Sequence, residues 1–329
     1  MKSRFIEQSI LTITGDKLKR RKMQRKMFSV ENDGFYGAWY PNPRVKTSRA
    51  MIITLDGSSD NRMIVSGAKW LHRQNIHALA ISPCKKDRGW HNFPLERIGK
   101  AIEFLRTQGC DKIGIFGASA TGTVALAAAS CYPDIRLTIA LTPPDFIMEG
   151  FYRDGKDGVR ERPGDHESAV SWQGIPLPYL PYAYRHPEYW QKMQEESKAS
   201  GNLIAAREMF DESERRHLLN EEEKIKVERI RGKVICIGAE DDALWDTCKY
   251  IRRMRQRLET LPHDCDFEAW IYEHGTHFIF PESMLKLMLP IGSGLLVGLM
   301  FKAGKEHPRE CKETRLDIDR RLAALMRDW

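Results

Sequence analysis

The chain lacks any apolar run long enough to cross a membrane. Its longest, IGSGLLVGLMF from Ile291 to Phe301, falls well short of the roughly 20 residues a spanning helix needs and reads as a buried helix. The opening residues MKSRFIEQSI lack the apolar core and small-residue cleavage site of a secretory signal. Cysteine is present but unpatterned: Cys84, Cys110, Cys131, Cys236, Cys248, Cys265 and Cys311 form no CxxC pair, and their number is odd. That argues against a disulfide framework and for a reducing, cytoplasmic setting. No HExxH helix occurs, and HGTH at 274–277 has no cysteine or carboxylate at ligand spacing, so no metal and no cofactor are expected. Internal repeats are absent as well.

The sequence has little imbalance of charge once one segment is set aside. The net charge is +7, and KLKRRKMQRK (Lys17 to Lys26) holds seven Lys or Arg and no acid, so the remaining chain is neutral. Such a strip could face an anion or a nucleic acid. It carries no interleaved aromatic residues and no RNA-binding or zinc motif accompanies it, so the preferred reading is a strand edge guarded by positive charge. No nucleic-acid partner is expected.

What is present is an alternation of β-like and helical patterns, the signature of an α/β protein with a mostly parallel sheet. The strand candidates are AMIITL (50–55), HALAIS (77–82), KIGIFG (112–117), LTIALT (137–142), KVICIG (233–238) and FEAWIY (267–272). Between them lie NRMIVSGAKWLHRQ, PLERIGKAIEFLRTQ, TGTVALAAAS and TCKYIRRMRQRLET as helix candidates. Before Ala50, ILTIT, KMFSV and FYGAWYP suggest an antiparallel start to the sheet. One gap interrupts the alternation: the stretch 144–228 begins as Gly- and Pro-containing loop and continues as charged helix. It is too long for an ordinary connection and reads as a cap inserted into a single domain spanning 1–329. Its aromatics Trp172, Tyr179, Tyr182, Tyr184 and Trp190 either line a pocket or form the cap's own core, the second being preferred.

The chemistry centres on GIFGASATGTVALAAAS (Gly114 to Ser130). Here a serine sits at a strand-to-helix turn among small residues, where α/β-hydrolases keep their nucleophile in a GxSxG elbow. Gly117, Ala118, Ser119 and Ala120 fit; Thr121 stands where the second glycine is usual, followed at once by Gly122. Chain order supplies partners, because the triad of this fold runs Ser, then Asp or Glu, then His. AEDDALWD after the KVICIG strand places Asp241 and Asp242 at a strand end, and EHGTHFIFP after FEAWIY places His274 and His277 in the next turn. Ser119, Asp242 and His277 are the preferred triad. Asp241 is the alternative acid, otherwise expected to cap the following helix or bind backbone amides, and His274 is expected beside the site or at the surface. The oxyanion donors are expected from the backbone N–H of Ala120 and from Gly57 or Ser58 in the loop LDGSSDN. The cysteines have no histidine placed to activate them.

The ordered pieces FPLERIGKAIEFL, IGIFGASATGTVALAAASCYPDIRLTIALTPPDFIMEG, SWQGIPLPYLPY, IKVERIRGKVICIGAEDDALW and YEHGTHFIFP give the chain a resemblance to a known family. From about Ala50 onward it resembles the catalytic C-terminal domain shared by acyl-CoA thioesterases and bile acid-CoA:amino acid N-acyltransferase. The resemblance implies an α/β-hydrolase fold with nucleophile, acid and histidine at Ser119, Asp242 and His277. It also implies thioester hydrolysis, since serine stands where the amino-acid-transferring members use cysteine. Longer members carry an immunoglobulin-like β-sandwich ahead of this domain, for which the 49 residues before Ala50 leave no room. Lys85, Lys86 and Arg88, after a strand, are candidate phosphate partners. A serine-dependent acyl hydrolase acting on an acyl-CoA or other thioester is therefore the first expectation. A carboxylesterase or peptidase acting on a small ester or amide, an acyl-CoA:amine N-acyltransferase, and a hydrolase-fold binding protein without turnover remain open.

Overall fold

Stretches such as Ala50–Ile53 and Val234–Ile237 are apolar at consecutive positions and buried throughout, the pattern of a strand covered on both faces. The computed structural model describes residues 23–55, 57–83, 89–152, 162–290 and 293–329. In chain order the strands β1 (Lys26–Phe28), β2 (Tyr36–Tyr40), β3 (Arg49–Ile53), β4 (His77–Ser82), β5 (Lys112–Ala118), β6 (Ile135–Leu141), β7 (Gly232–Ala239) and β8 (Cys265–Tyr272) form one eight-stranded sheet. Their spatial order is β1-β2-β4-β3-β5-β6-β7-β8. β2 runs antiparallel to β1 and β4, and every later pairing is parallel.

Side chains alternate across each strand, so the core divides into two layers. Ala50 and Ile52 of β3, with Val234 and Cys236 of β7, pack on one face against Ile98, Ile102, Val124 and Ile251. Those partners lie on the helices Glu96–Thr107, Ala120–Cys131 and Thr247–Thr260. Met51, Ile53, Ile235 and Ile237 face the other way, toward Ile64, Trp70, Leu71, Met284, Ile318 and Leu322. These come from the helices Arg62–Arg73, Glu282–Met288 and Pro308–Asp328. The architecture is the expected α/β-hydrolase fold: a mostly parallel sheet between helical layers, with Ser119 at the end of a central strand.

Three local readings change. The run Ile291–Phe301 gives a helix at Ser293–Met300 that is only half buried, with Leu295 70% and Leu299 43% exposed beside buried Val297 and Met300. Hydrophobicity alone does not say which face finds a partner. The charged helix expected in the 144–228 stretch is two helices, Glu188–Ser200 and Arg207–Arg216. Gly201 separates them in the left-handed region at φ 72°, and Ser197 Oγ, itself bonded back to Met193 O, accepts from Ala205 N. The part read as loop contains short strands. Glu149–Tyr152 pairs with Arg162–Ser168, and Val170–Trp172 pairs with both Ile175–Pro176 and Phe93–Pro94, tying this stretch to the connection before β5.

Of the basic strip, residues 17–22 lie outside the described residues, as does ILTIT. Lys26 opens β1, the outer strand of the sheet, and its ammonium lies over the rings of Phe28 and Phe104, while Arg25 pairs with Asp60 at 3.0 Å. No helix among the described residues is long and apolar enough to cross a membrane.

Candidate active site

β5 ends at Ala118 and the helix Ala120–Cys131 begins two residues later, which forces Ser119 into φ 60°, ψ −135°. A non-glycine residue there is strained and persists only where its surroundings hold it. Those surroundings are close. A Cβ at Gly117 would lie 2.3 Å from Thr121 O, so strand and helix can approach only over glycine. Thr121 is buried, and its hydroxyl donates to Ala118 O at 2.8 Å while accepting from Ala118 N at 3.1 Å. Thr54, just past β3, donates from its hydroxyl to Thr121 O at 3.2 Å. The residue that departs from the usual elbow thus stitches both backbone groups of Ala118 to the first turn of the helix. No pattern of sequence spacing announces that role.

The acid turn follows β7. Asp242 is 1% exposed; its Oδ1 accepts from Leu244 N at 2.9 Å and its Oδ2 from Thr247 Oγ1 at 2.5 Å. In the turn after β8, His277 Nδ1 lies 2.9 Å from both Asp242 oxygens, and its Nε2 lies 2.7 Å from Ser119 Oγ. Trp245 packs edge-on against the imidazole at 4.8 Å, and its own N–H donates to Thr142 O at 3.0 Å. Ser119, His277 and Asp242 therefore form one continuous hydrogen-bonded line, buried at its acid end. With Ser119 Oγ–H donating to Nε2 and Nδ1–H donating to the carboxylate, this line can deprotonate the serine during attack.

Asp241 does not cap the following helix; Asp246 does, accepting from Lys249 N at 3.0 Å. Asp241 instead accepts from His274 Nδ1 at 2.9 Å, and the His274 ring stacks on His307 with centroids 3.9 Å apart. The Asp241 hydrogen bond raises the His274 pKa above the ordinary imidazole value. Arg207 is a further contact that sequence reading missed. It donates to Glu240 O and Asp242 O at 2.9 and 3.2 Å and pairs with Asp246 at 2.7 Å, clasping the acid turn from the 144–228 stretch.

Ala120 is the first residue of its helix, where the backbone N–H has no intrahelical acceptor. Gly57 and Ser58 lie in the loop leaving β3, which pairs with β5 beside the elbow; Gly57 has φ 87°, and Ser58 O accepts from Asn61 N at 3.0 Å. Lys85, Lys86, Arg88 and Cys84 lie outside the described residues. Burial pushes the Cys110 and Cys311 thiols up to about 11 and Cys248 to about 12, leaving them poor nucleophiles. Tyr182, expected in a cap core, is buried with its ring 5.3 Å from Phe210 and 5.6 Å from Tyr189. Among the described residues no group of three or more His, Cys, Asp or Glu could hold a metal ion.

The model of the BAAT / acyl-CoA thioester hydrolase C-terminal family matches residues 93–284, a span running from before the elbow to just past His277. The chain belongs to this family. It is a hydrolase of α/β fold, as the sheet order and the family together require. Similar solved structures include Est1E from Butyrivibrio proteoclasticus, 14% identical over 88% of this chain and 99% of that one, TM-score 0.42. A cold-adapted esterase from an Arctic intertidal metagenomic library is 12% identical over 86% and 97%, TM-score 0.43. An esterase/lipase from an uncultured bacterium is 13% identical over 95% and 91%, TM-score 0.48. Likeness at that level says nothing of this chain's substrate. A comparison with curated proteins finds no match.

Proposed function

We propose that the protein is a serine-dependent acyl hydrolase that cleaves a thioester, an acyl-CoA first of all, through an acyl-enzyme on Ser119. The observation that carries the reading is the 2.7 Å contact of His277 Nε2 with Ser119 Oγ, backed by the 2.9 Å contacts of Nδ1 with Asp242. Ser119 Oγ attacks the thioester carbonyl while its proton passes to His277 Nε2, and Asp242 stabilises the imidazolium. The oxyanion is held by the N–H of Ala120 and a donor from the Gly57–Ser58 loop. Collapse expels the thiol, which takes the proton from His277. Water then attacks the acyl-serine, giving its proton to the same nitrogen, and the carboxylic acid leaves with Ser119 restored. Family membership supports the thioester; an oxygen ester would use the same steps.

In this reading 1–329 is one α/β-hydrolase domain and 144–228 is its cap. Ala206 N and Arg207 N both donate to Ala243 O, at 3.0 and 3.3 Å, so the stretch lies against the acid turn. The test is turnover of an acyl-CoA series, read as released thiol and released acid, beside p-nitrophenyl esters. Equal thiol and acid, lost in Ser119→Ala, is the expected result. Thiol without acid when an amine is supplied would mean transfer. No turnover and no labelling by a fluorophosphonate would mean a binding protein.

A further inference from the structure

Two aspartate–histidine pairs, not one, bridge the turns that complete the site. β7 and β8 run parallel and in register up to Ala239 opposite Tyr272, so the turns after them leave the sheet side by side. Asp242 of the first turn meets His277 of the second; one residue earlier, Asp241 Oδ2 meets His274 Nδ1 at 2.9 Å. To the Asp242–His277 contacts and the bond that Glu240 N donates to Tyr272 O at 3.0 Å, the second pair adds a side-chain tie that limits how the two turns can pivot on each other. We propose that His274, bonded to Asp241 and backed by His307, is a positioning residue that keeps the acid turn and the histidine turn in register for attack by Ser119. The proposal rests on the triad reading above and adds a second pair to it.

The surroundings fit a structural brace rather than a loose surface contact. The His274 and His307 rings are nearly coplanar in orientation, 12° apart, and Thr314 Oγ1 donates to His274 O at 2.6 Å. Both His307 and Thr314 belong to the C-terminal helix region, so the second turn is pinned from behind. Within that turn a Cβ at Gly275 would lie 2.6 Å from the Ala239 side chain, which seats the turn directly on the end of β7. The charged and titratable groups facing His274 are Asp241, Glu273 at 3.9 Å, His307 and Glu310, with Cys311 close to Asp241 and held as a thiol by burial. Acids outnumber bases there, and the ring is held in its charged form to higher pH than a free imidazole. Its N–H···carboxylate bond is then charge-assisted.

The experiment uses the full chain and p-nitrophenyl butyrate, with fluorophosphonate labelling of Ser119 as a second readout. His274→Ala and Asp241→Ala are each expected to lower kcat about tenfold, as misplacement of a catalytic group by a fraction of an ångström does, with KM and the thermal midpoint nearly unchanged. The double variant should lose no more than either single one, because both remove the same bond. His274→Asn, whose amide N–H stands near the position of Nδ1–H, should recover most of kcat. Full kcat in His274→Ala, additive losses in the double variant, or equal losses in the Ala and Asn variants would each overturn the proposal while leaving a Ser119-dependent enzyme. Full activity in Ser119→Ala would instead remove the triad reading, and this one with it.

Discussion

The elbow around Ser119 and the 144–228 stretch are held in place by opposite means. At the elbow the restraints are neutral and largely shielded: the half-buried bonds of the Thr121 hydroxyl to both backbone groups of Ala118, the buried Thr54 hydroxyl on Thr121 O, and glycine where strand meets helix. The 144–228 stretch is anchored by charge. Arg185 pairs with Glu149, Lys249 with Asp211 and Glu214, and Arg253 with Asp145 and Glu214, the cationic side chains being 30–36% exposed. Buried hydrogen bonds are insensitive to salt and costly to break, because the groups left behind are desolvated. In these pairs the cation reaches solvent while Glu149, Asp145 and Glu214 are largely buried, so salt screens them in part. The elbow is thus held by bonds that salt barely touches, and the 144–228 stretch in part by bonds that salt can tune.

The largest expected effect breaks the chemistry and nothing else: Ser119→Ala should lower kcat by a factor on the order of 10⁴ or more, with the thermal midpoint unchanged. Next is the elbow brace. Thr121→Val keeps the shape, removes the hydroxyl, and takes a partner from both half-buried backbone groups of Ala118. It should cost about 1–3 kcal/mol in urea unfolding and lower kcat by an order of magnitude, whereas Thr121→Ser should keep both. Thr121→Gly, which restores the usual elbow pattern, should lose activity too; a gain would mean that the stitch is incidental.

A smaller effect sharpens the contrast from the other side. Raising salt from about 0.1 M to 1 M shortens the screening length from roughly 10 to 3 Å, and should change KM about twofold while kcat holds. Equal changes in both would put the elbow under the same control as the 144–228 stretch.

The smallest effect lies at the far end of the sheet. His77 Nδ1 accepts from Asn42 N at 2.8 Å, a role only the neutral ring fills, and burial lowers the pKa of both His77 and His72. Below the ordinary imidazole value near 6.5 the unfolded chain takes up protons that the folded one refuses. The stability these rings lend is whole above pH 6.5 and erodes as pH falls toward their depressed values. Between pH 6.5 and 5.5, where ordinary carboxylates scarcely titrate, the thermal midpoint should fall by about 1–3 °C. A midpoint that stays level there would contradict the assignment.

The central strands were legible because they are buried on both faces and so read as apolar runs: HALAIS is β4 residue for residue, and β5, β6 and β7 differ from their sequence readings by one or two residues at one or both ends. β8, only partly buried, begins two residues before its sequence reading. Ser119, Asp242 and His277 could be picked out because each follows a strand in a fixed order. What stayed hidden are contacts between segments distant in sequence. The Asp241–His274 bond spans 33 residues and the Arg207 clasp on Asp242 spans 35, and neither has a local pattern. Thr121 looked like a flaw because its hydroxyl bonds form only once the strand has turned into the helix. The break at Gly201 was lost in a run of helix-favouring charged residues, and the exposure of Leu295 depends on which face of an apolar helix finds a neighbour.

The central claim is that acyl groups pass through Ser119. Mass spectrometry of protein quenched within the first turnovers of an acyl-CoA tests it most directly. One acyl group is expected on the peptide that carries Ser119, lost again with time, and none in Ser119→Ala. An adduct on another residue, or acyl-CoA cleaved at the wild-type rate by Ser119→Ala, would contradict it.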